Sequence, residues 1–241
     1  MQVDFDDYAD IDALSRAAAD VIEAAAQRAV ATRGRFSLAL SGGSTPRTLY
    51  HLLATDYRSR IPWSLSELFF GDERCVPPNH PDSNFRMARE ALLAHVPGLE
   101  ARTHRIPGER GPQAAAESYD VLLHTVFPGA NPITFDVLLL GVGEDGHTAS
   151  LFPGAPALDE RARWAVATDA PPTSPIRARV TLTYPILDAS LETLILSAGP
   201  DKQPLIDHIR NDGAAAATRY PVARITARER VRWMLAGMGR S

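Results

Sequence analysis

Phe135-Asp136-Val137-Leu138-Leu139-Leu140-Gly141-Val142-Gly143-Glu144-Asp145-Gly146-His147-Thr148-Ala149-Ser150-Leu151-Phe152-Pro153-Gly154 decides how the rest of this 241-residue chain is read. Its first six residues form an apolar run of the length of a buried strand. The run then ends in glycines, two acids and a histidine. In open α/β sheets that edge, outside the carboxyl ends of the strands, is where ligands bind. Gly141 to Gly146 also spell G-x-G-x-x-G. Whether the stretch cradles a nucleotide or performs chemistry therefore governs the function.

Working outward, the same strand–turn–helix alternation recurs. Asp10 to about Ala31 places Ile11, Leu14, Ala18, Val21, Ile22 and Ala25 at helical spacing, with Asp10 set to cap the segment. Phe36 to Leu40 predicts a strand ended by the Ser41-Gly42-Gly43 turn, and Pro46 then opens a helix through Leu49, Leu52 and Leu53. Glu67 to Phe70 predicts another strand, closing in Gly71-Asp72-Glu73-Arg74. A proline-rich loop leads to a helix from Asn84 to His95 capped by Ser83.

Further along, His104 to Ile106 is expected as a short edge strand and Pro112 to Phe127 as a helix. Trp164 to Thr168, Ala178 to Thr183 and Leu191 to Ser197 are strand candidates, Asp201 to Ile209 a helix, and Val231 to Leu235 a last strand. Strands alternating with helices argue for a mainly parallel sheet with helices on both faces. The chain carries no internal repeat, no low-complexity linker and no domain boundary, so residues 1–241 are expected to form a single domain.

The bulk numbers narrow the function classes. A formal charge of −4 gives no overall attraction to nucleic acid or anionic membranes, so any anion must be held by local positive groups. One cysteine, Cys75, excludes internal disulfides and a thiolate-rich metal site. The acidic start MQVDFDDYAD lacks a secretory signal, and no apolar run approaches the roughly 18 residues needed to span a bilayer. A soluble, cytoplasmic protein is expected.

Two further strand ends carry chemistry. In Leu40-Ser41-Gly42-Gly43-Ser44-Thr45-Pro46 the glycines let an anion approach the backbone, while the hydroxyls of Ser44 and Thr45 and the free amides of a helix start point toward it. That suits a phosphate monoester, although no G-K-[ST] follows, so the segment is not a P-loop. Arg74 in Gly71-Asp72-Glu73-Arg74 has the fork geometry to bind an oxyanion, though simple pairing with Asp72 and Glu73 is the plainer expectation.

As a dinucleotide site the opening stretch fails. Asp169 lies past the next strand, where a ribose-binding acid could sit, but Glu144 and Asp145 inside the loop would repel a pyrophosphate. Pro153-Gly154 and Pro156 also cut the following helix too short for a crossover. What remains is Asp145-Gly146-His147. The acid either orients the imidazole or binds substrate directly, and His147 is a candidate general base. His51, His80, His95, His104, His124 and His208 are expected to be structural. Neither paired Cys/His spacing for a metal nor a G-x-S-x-G elbow occurs. Among the cations, Arg177 and Arg179 flank a strand start. Lys202 stands at a helix start, against the dipole preference, which hints at a local anion.

These segments resemble the 6-phosphogluconolactonases of the pentose phosphate pathway. The resemblance runs through Ser41-Gly42-Gly43-Ser44-Thr45-Pro46, Gly71-Asp72-Glu73-Arg74 with Asp82-Ser83-Asn84, Gly141 through Pro153, Arg179-Val180-Thr181-Leu182-Thr183 and Gly199-Pro200-Asp201-Lys202, in the family's order. It implies a Rossmann-like α/β fold and hydrolysis of 6-phospho-D-glucono-1,5-lactone, with no cofactor and no metal. His147 would be the base, Asp145 would set its geometry, and Arg74 would stabilise charge on the substrate. Ser41, Gly42, Gly43, Ser44, Thr45, Arg179 and Lys202 would hold the 6-phosphate. The expected partner is a small sugar-phosphate lactone, with neither nucleic acid nor membrane, and the chain acting as a monomer or small homo-oligomer. The related glucosamine-6-phosphate deaminases carry a glutamate five residues after the histidine; this chain has Phe152 there, which cannot shuttle a proton. A non-catalytic sugar-phosphate sensor would need no base.

Overall fold

Phe36-Ser37-Leu38-Ala39-Leu40 is buried at every position, the pattern of a parallel strand covered on both faces. It is one of nine strands in a computed structural model that describes residues 2–129 and 133–237. In chain order the elements are β1 (Gln2–Tyr8), α1 (Ile11–Arg33), β2 (Phe36–Leu40), α2 (Ser44–Ala54), β3 (Ser66–Phe70), β4 (Asp72–Arg74), α3 (Asn84–Ala91) and α4 (Pro112–Val126). There follow β5 (Val137–Gly141), β6 (Ala165–Asp169), β7 (Ala178–Leu182), α5 (Tyr184–Leu187), β8 (Glu192–Ala198), α6 (Gln203–Asn211), α7 (Gly213–Arg219) and β9 (Arg230–Ala236).

Six strands form one all-parallel sheet in the order β1-β9-β8-β5-β2-β3, flanked by helices. From β2 the chain proceeds outward to β3, and from β5 it proceeds the other way to β8 and β9. The boundary between β2 and β5 is thus the switch point at which the carboxyl strand ends open a crevice. Asp136 fastens the two strands at the opposite end, where its carboxylate accepts from the Ser37 backbone N (2.8 Å) and Oγ (2.9 Å).

Several expectations are met closely. Asp10 caps α1 by accepting from Ala13 N; the helix runs two residues past Ala31, to Arg33, where Gly34 ends it in the left-handed region at φ 72°. Ser83 caps α3 through Arg86 N.

Other expectations are corrected. Trp164–Thr168 and Ala178–Thr183 do form strands, but β6 and β7 lie in a separate antiparallel sheet ordered β4-β7-β6. Asp72–Arg74, expected only as the close of the preceding strand, is the third strand of that sheet. Instead of an edge strand at His104–Ile106 there is a single bridge between Leu68 and Thr103. The helix beginning at Asn84 stops at Ala91, with a separate 3-10 turn over Leu93–His95. Helix α2 begins two residues ahead of Pro46, because Gly43 at φ 107° turns the chain early. The acidic N-terminal segment is edge strand β1, paired along its length with β9.

Candidate active site

Four neighbouring strands, β8, β5, β2 and β3, send their carboxyl ends to one edge, and the segments leaving them line a cleft of about 610 Å³. That volume suits a small organic ligand. All ten residues singled out from the sequence, Ser41, Gly42, Gly43, Ser44, Thr45, Arg74, Asp145, His147, Arg179 and Lys202, line this cleft. Arg177 does not; it reaches toward Asp169 at the far end of the small sheet (3.8 Å). Asp169, the acid that a ribose would need, is thereby accounted for as a partner of Arg177 on a strand outside the parallel sheet.

After β5 the chain makes a tight turn closed by Gly146 N donating to Gly143 O (3.0 Å) and Gly143 N donating to His147 O (2.9 Å). Gly146 takes φ 79°, and a Cβ there would lie 2.5 Å from Tyr220 Cδ1. Glycine is needed on both counts. One Asp145 oxygen accepts from the His147 backbone N (3.0 Å) and from its Nδ1 (2.5 Å). A carboxylate only accepts, so Nδ1 carries a hydrogen, and in the neutral imidazole Nε2 is then the acceptor. Burial alone would raise the Asp145 carboxyl. The hydrogen bonds from the His147 ring and backbone outweigh it and hold the group below its ordinary range. Between the two open roles for Asp145, this geometry favours orientation of the imidazole.

Gly143 abuts the Nδ1–Cε1 edge of the ring: a Cβ on it would sit 2.1 Å from Nδ1. Phe152 packs against the same ring, centroids 4.6 Å apart.

On the other side of the cleft, Ser41 is fixed by Tyr50, whose hydroxyl accepts from Ser41 N (2.9 Å) and donates to Ser41 O (2.8 Å). No side chain caps α2, so its first amides lack a side-chain partner, and Ser44 and Thr45 line the cleft beside them. Gly42 leaves room for Asn84, whose Oδ1 would be 2.0 Å from an added Cβ.

Arg74 and Arg179 face this cradle from β4 and β7. The expected pairing of Arg74 with Asp72 and Glu73 does not occur. Glu73 turns inward, accepting from the backbone N of Arg74 (2.8 Å), Asn84 (2.8 Å) and Phe85 (2.9 Å) and from Ser83 Oγ (3.0 Å). Asp72 accepts from Ser150 Oγ (2.6 Å) and Asn84 Nδ2 (3.1 Å). Arg74 donates instead to Asp82 O (2.6 Å) and Arg179 to Ser174 Oγ (2.9 Å). The Nε atoms of both are buried and have no protein partner. Burial, then the charge of Arg74, push the Arg179 guanidinium below its ordinary value. Neither guanidinium forms an ion pair among the described residues, although the Asp72 and Glu73 charges act on Arg179, and the uncapped start of α2 lines the same cleft. Among the described residues, no cluster of three His, Cys, Asp or Glu is arranged for a metal ion.

Sequence reasoning missed Asp72, Asn84, Ser150 and Ser174 as parts of the site. Asp72 and Ser150 are far apart in the chain, and only the small sheet brings them together. Cys75, beside Arg74, is half-buried, and burial pushes its thiol up to about 11, so it is a packed cysteine.

A family model described as glucosamine-6-phosphate isomerases/6-phosphogluconolactonase matches residues 9–233. The chain belongs to this family. Within it, the chain is 38% identical to a 6-phosphogluconolactonase of Nostoc over 222 residues, 90% of this chain and 88% of that one. It is 37% identical to a 6-phosphogluconolactonase of Mycobacterium tuberculosis, covering 95% of this chain and 93% of the relative. A crystal structure of the family's 6-phosphogluconolactonase from Thermotoga maritima superposes with a TM-score of 0.83 at 26% identity, over 98% of this chain and the whole of that one. The family fold thus accounts for the parallel sheet and for the loops at its carboxyl edge.

Proposed function

We propose that this chain is a 6-phosphogluconolactonase that hydrolyses 6-phospho-D-glucono-1,5-lactone to 6-phosphogluconate with His147 as general base. The observation that carries the reading is the shared cleft. A base held by Asp145 with Nε2 free faces the same space as three cations, Arg74, Arg179 and Lys202, for which no ion pair is found among the described residues. The curated relatives at 37–38% identity carry the same name for their activity.

In this reading the 6-phosphate sits at the α2 start, on the Ser41 to Thr45 loop, with Arg179 and Lys202 as counter-charges. Hydrogen bonds to charged groups contribute about 1.5–3 kcal/mol, against about 0.3–1 for the helix dipole. The cations therefore supply most of the grip, and the loop supplies shape. Bound this way, the phosphate positions the lactone ring against His147.

Nε2 takes a proton from water as the oxygen attacks the lactone carbonyl carbon. Arg74 steadies the tetrahedral oxyanion. Collapse breaks the bond to the ring oxygen, which takes up the proton held on His147, and the new acid ionises to the carboxylate. No covalent intermediate and no cofactor are needed, because an ester opens by direct attack of water once a base activates that water and a cation stabilises the oxyanion. Phe152 argues against the deaminase alternative, since at the position of that family's glutamate it offers no titratable group. A sensor would not require an aspartate-held imidazole.

The test follows acid release from freshly generated 6-phosphogluconolactone, corrected for spontaneous hydrolysis, beside ammonia release from glucosamine 6-phosphate. Hydrolysis in the first assay is expected. Activity only in the second would overturn the proposal, and activity in neither would leave the sensor.

A further inference from the structure

The Asp145 bond does not by itself fix the plane of the His147 ring. Both side chains are partly open to solvent, 33% for His147 and 42% for Asp145, so water competes for the same atoms. The χ2 torsion of histidine is also broad, and one hydrogen bond at the ring's edge resists its rotation poorly. Something else must hold the imidazole.

The chain after His147 folds back to do so. Ala149 takes a left-handed conformation at φ 46°, and Thr148 bridges Leu151, so Phe152 returns to lie on the ring it follows. This segment is firmly mounted. Ser150 donates through N to Thr181 Oγ1 (3.2 Å) and through Oγ to Asp72 (2.6 Å), and Leu151 is wholly buried. Phe152 itself is 7% exposed, and its plane is tilted 43° to the imidazole. The bare Cα of Gly143 supplies a second contact at the Nδ1 and Cε1 edge.

We propose that Phe152 is a positioning residue: its buried ring, mounted by Ser150 and Leu151, sets the plane of the His147 imidazole so that Nδ1 stays on Asp145 and Nε2 stays aimed into the cleft. The benefit is pre-organisation, since a base displaced by about 1 Å can cost about 10²-fold in rate. An aliphatic side chain of similar volume would fill the space without presenting a flat face.

The test compares Phe152→Ala, Phe152→Leu and Phe152→Tyr. For Phe152→Ala, kcat is expected to fall about 10- to 100-fold with KM within about twofold, as for loss of alignment in the reacting complex. Phe152→Tyr, which keeps the ring, should retain most of kcat, and Phe152→Leu should fall between. A second readout needs no substrate. In histidine-15N spectra, wild-type His147 should show one neutral tautomer, hydrogen on Nδ1, and the Ala variant an exchanging mixture.

The proposal falls if Phe152→Ala keeps wild-type kcat, if KM alone rises, or if the nitrogen spectrum of His147 is unchanged. Should the Ala variant not fold, the Leu variant is read in the same two ways. The kinetic arm rests on the lactonase reading, whereas the spectra do not. Failure of the wild type to open the lactone would therefore sink that reading while the spectra still judge Phe152.

Discussion

Arg74 and Arg179 stand directly opposite each other where β4 pairs with β7. Like charges so placed are destabilising, by roughly 0.2–1 kcal/mol for a facing pair. Here the two are also partly buried, each with an Nε that no protein atom satisfies. The Asp72 and Glu73 charges offset part of the cost to Arg179, and an anion bound between the two guanidiniums would offset more. The pair thus supports the proposed anion site independently of any motif.

Replacing Arg179 with Ala should raise KM about 10- to 100-fold with kcat little changed, as for loss of a charged hydrogen bond made equally in ground and transition states. Inorganic phosphate should also raise the melting temperature of the wild type more than that of the variant. A fall in kcat alone would remove Arg179 from the phosphate site.

His147→Ala should lower kcat by about 10²–10⁴, the usual worth of a general base, while the phosphate-induced rise in melting temperature persists. Turnover like that of the wild type would remove His147 from the mechanism.

The Asp145 carboxyl lies below its ordinary value of 3.8 when folded. A depressed carboxyl lends stability that is fully present above the unfolded value and is lost as pH falls through the folded one. The stability gap between wild type and Asp145→Asn should therefore be constant near neutral pH and shrink only below pH 3.8. Urea titrations at several pH values would measure it. A gap that closes already between pH 5 and 7 would mean that another group titrates there.

Gly146 and Gly154 make a matched comparison, at φ 79° and 75°. An Ala at Gly154 meets nothing within 4 Å and should cost only about 1–2 kcal/mol of backbone strain, leaving activity intact. An Ala at Gly146 adds a 2.5 Å collision with Tyr220, so the turn must move. We expect kcat to drop more than about tenfold for Gly146→Ala, as for any displaced base. Equal activity in the two variants would show that Tyr220 does not support the turn.

Much of this was legible in the sequence, and the exceptions share causes. Strands such as Phe36–Leu40 and Val137–Gly141 are apolar runs between glycine turns, so local pattern and tertiary burial agree. Asp72–Arg74 is three charged or polar residues and has no strand signal of its own; its partner β7 defines it. Strands β6 and β7 were visible as strands, but nothing local tells a strand which sheet it will join. Strand β1 is acidic because it is an edge, exposed where an inner strand would be apolar.

The site divides in the same way. Gly-rich turns and their histidine announce themselves, because close approach and left-handed backbone restrict which residues can serve. Asp72, by contrast, looked like a partner for Arg74, its neighbour in the chain. The side chain instead reaches Ser150, which no spacing rule could have indicated.

The contact between Gly146 and Tyr220, with Val222 N donating to Gly146 O at 3.0 Å, has a consequence in time as well as in space. As the chain emerges during synthesis, the Ser41 to Thr45 loop comes early, and His147 follows. The turn that presents the histidine is clamped only once the segment through Val222 has docked behind it. Arg179 and Lys202 also follow His147 in the chain, so in the proposed reading the grip on the phosphate and the chemistry on the sugar mature together, and turnover reports that the last third of the polypeptide has folded.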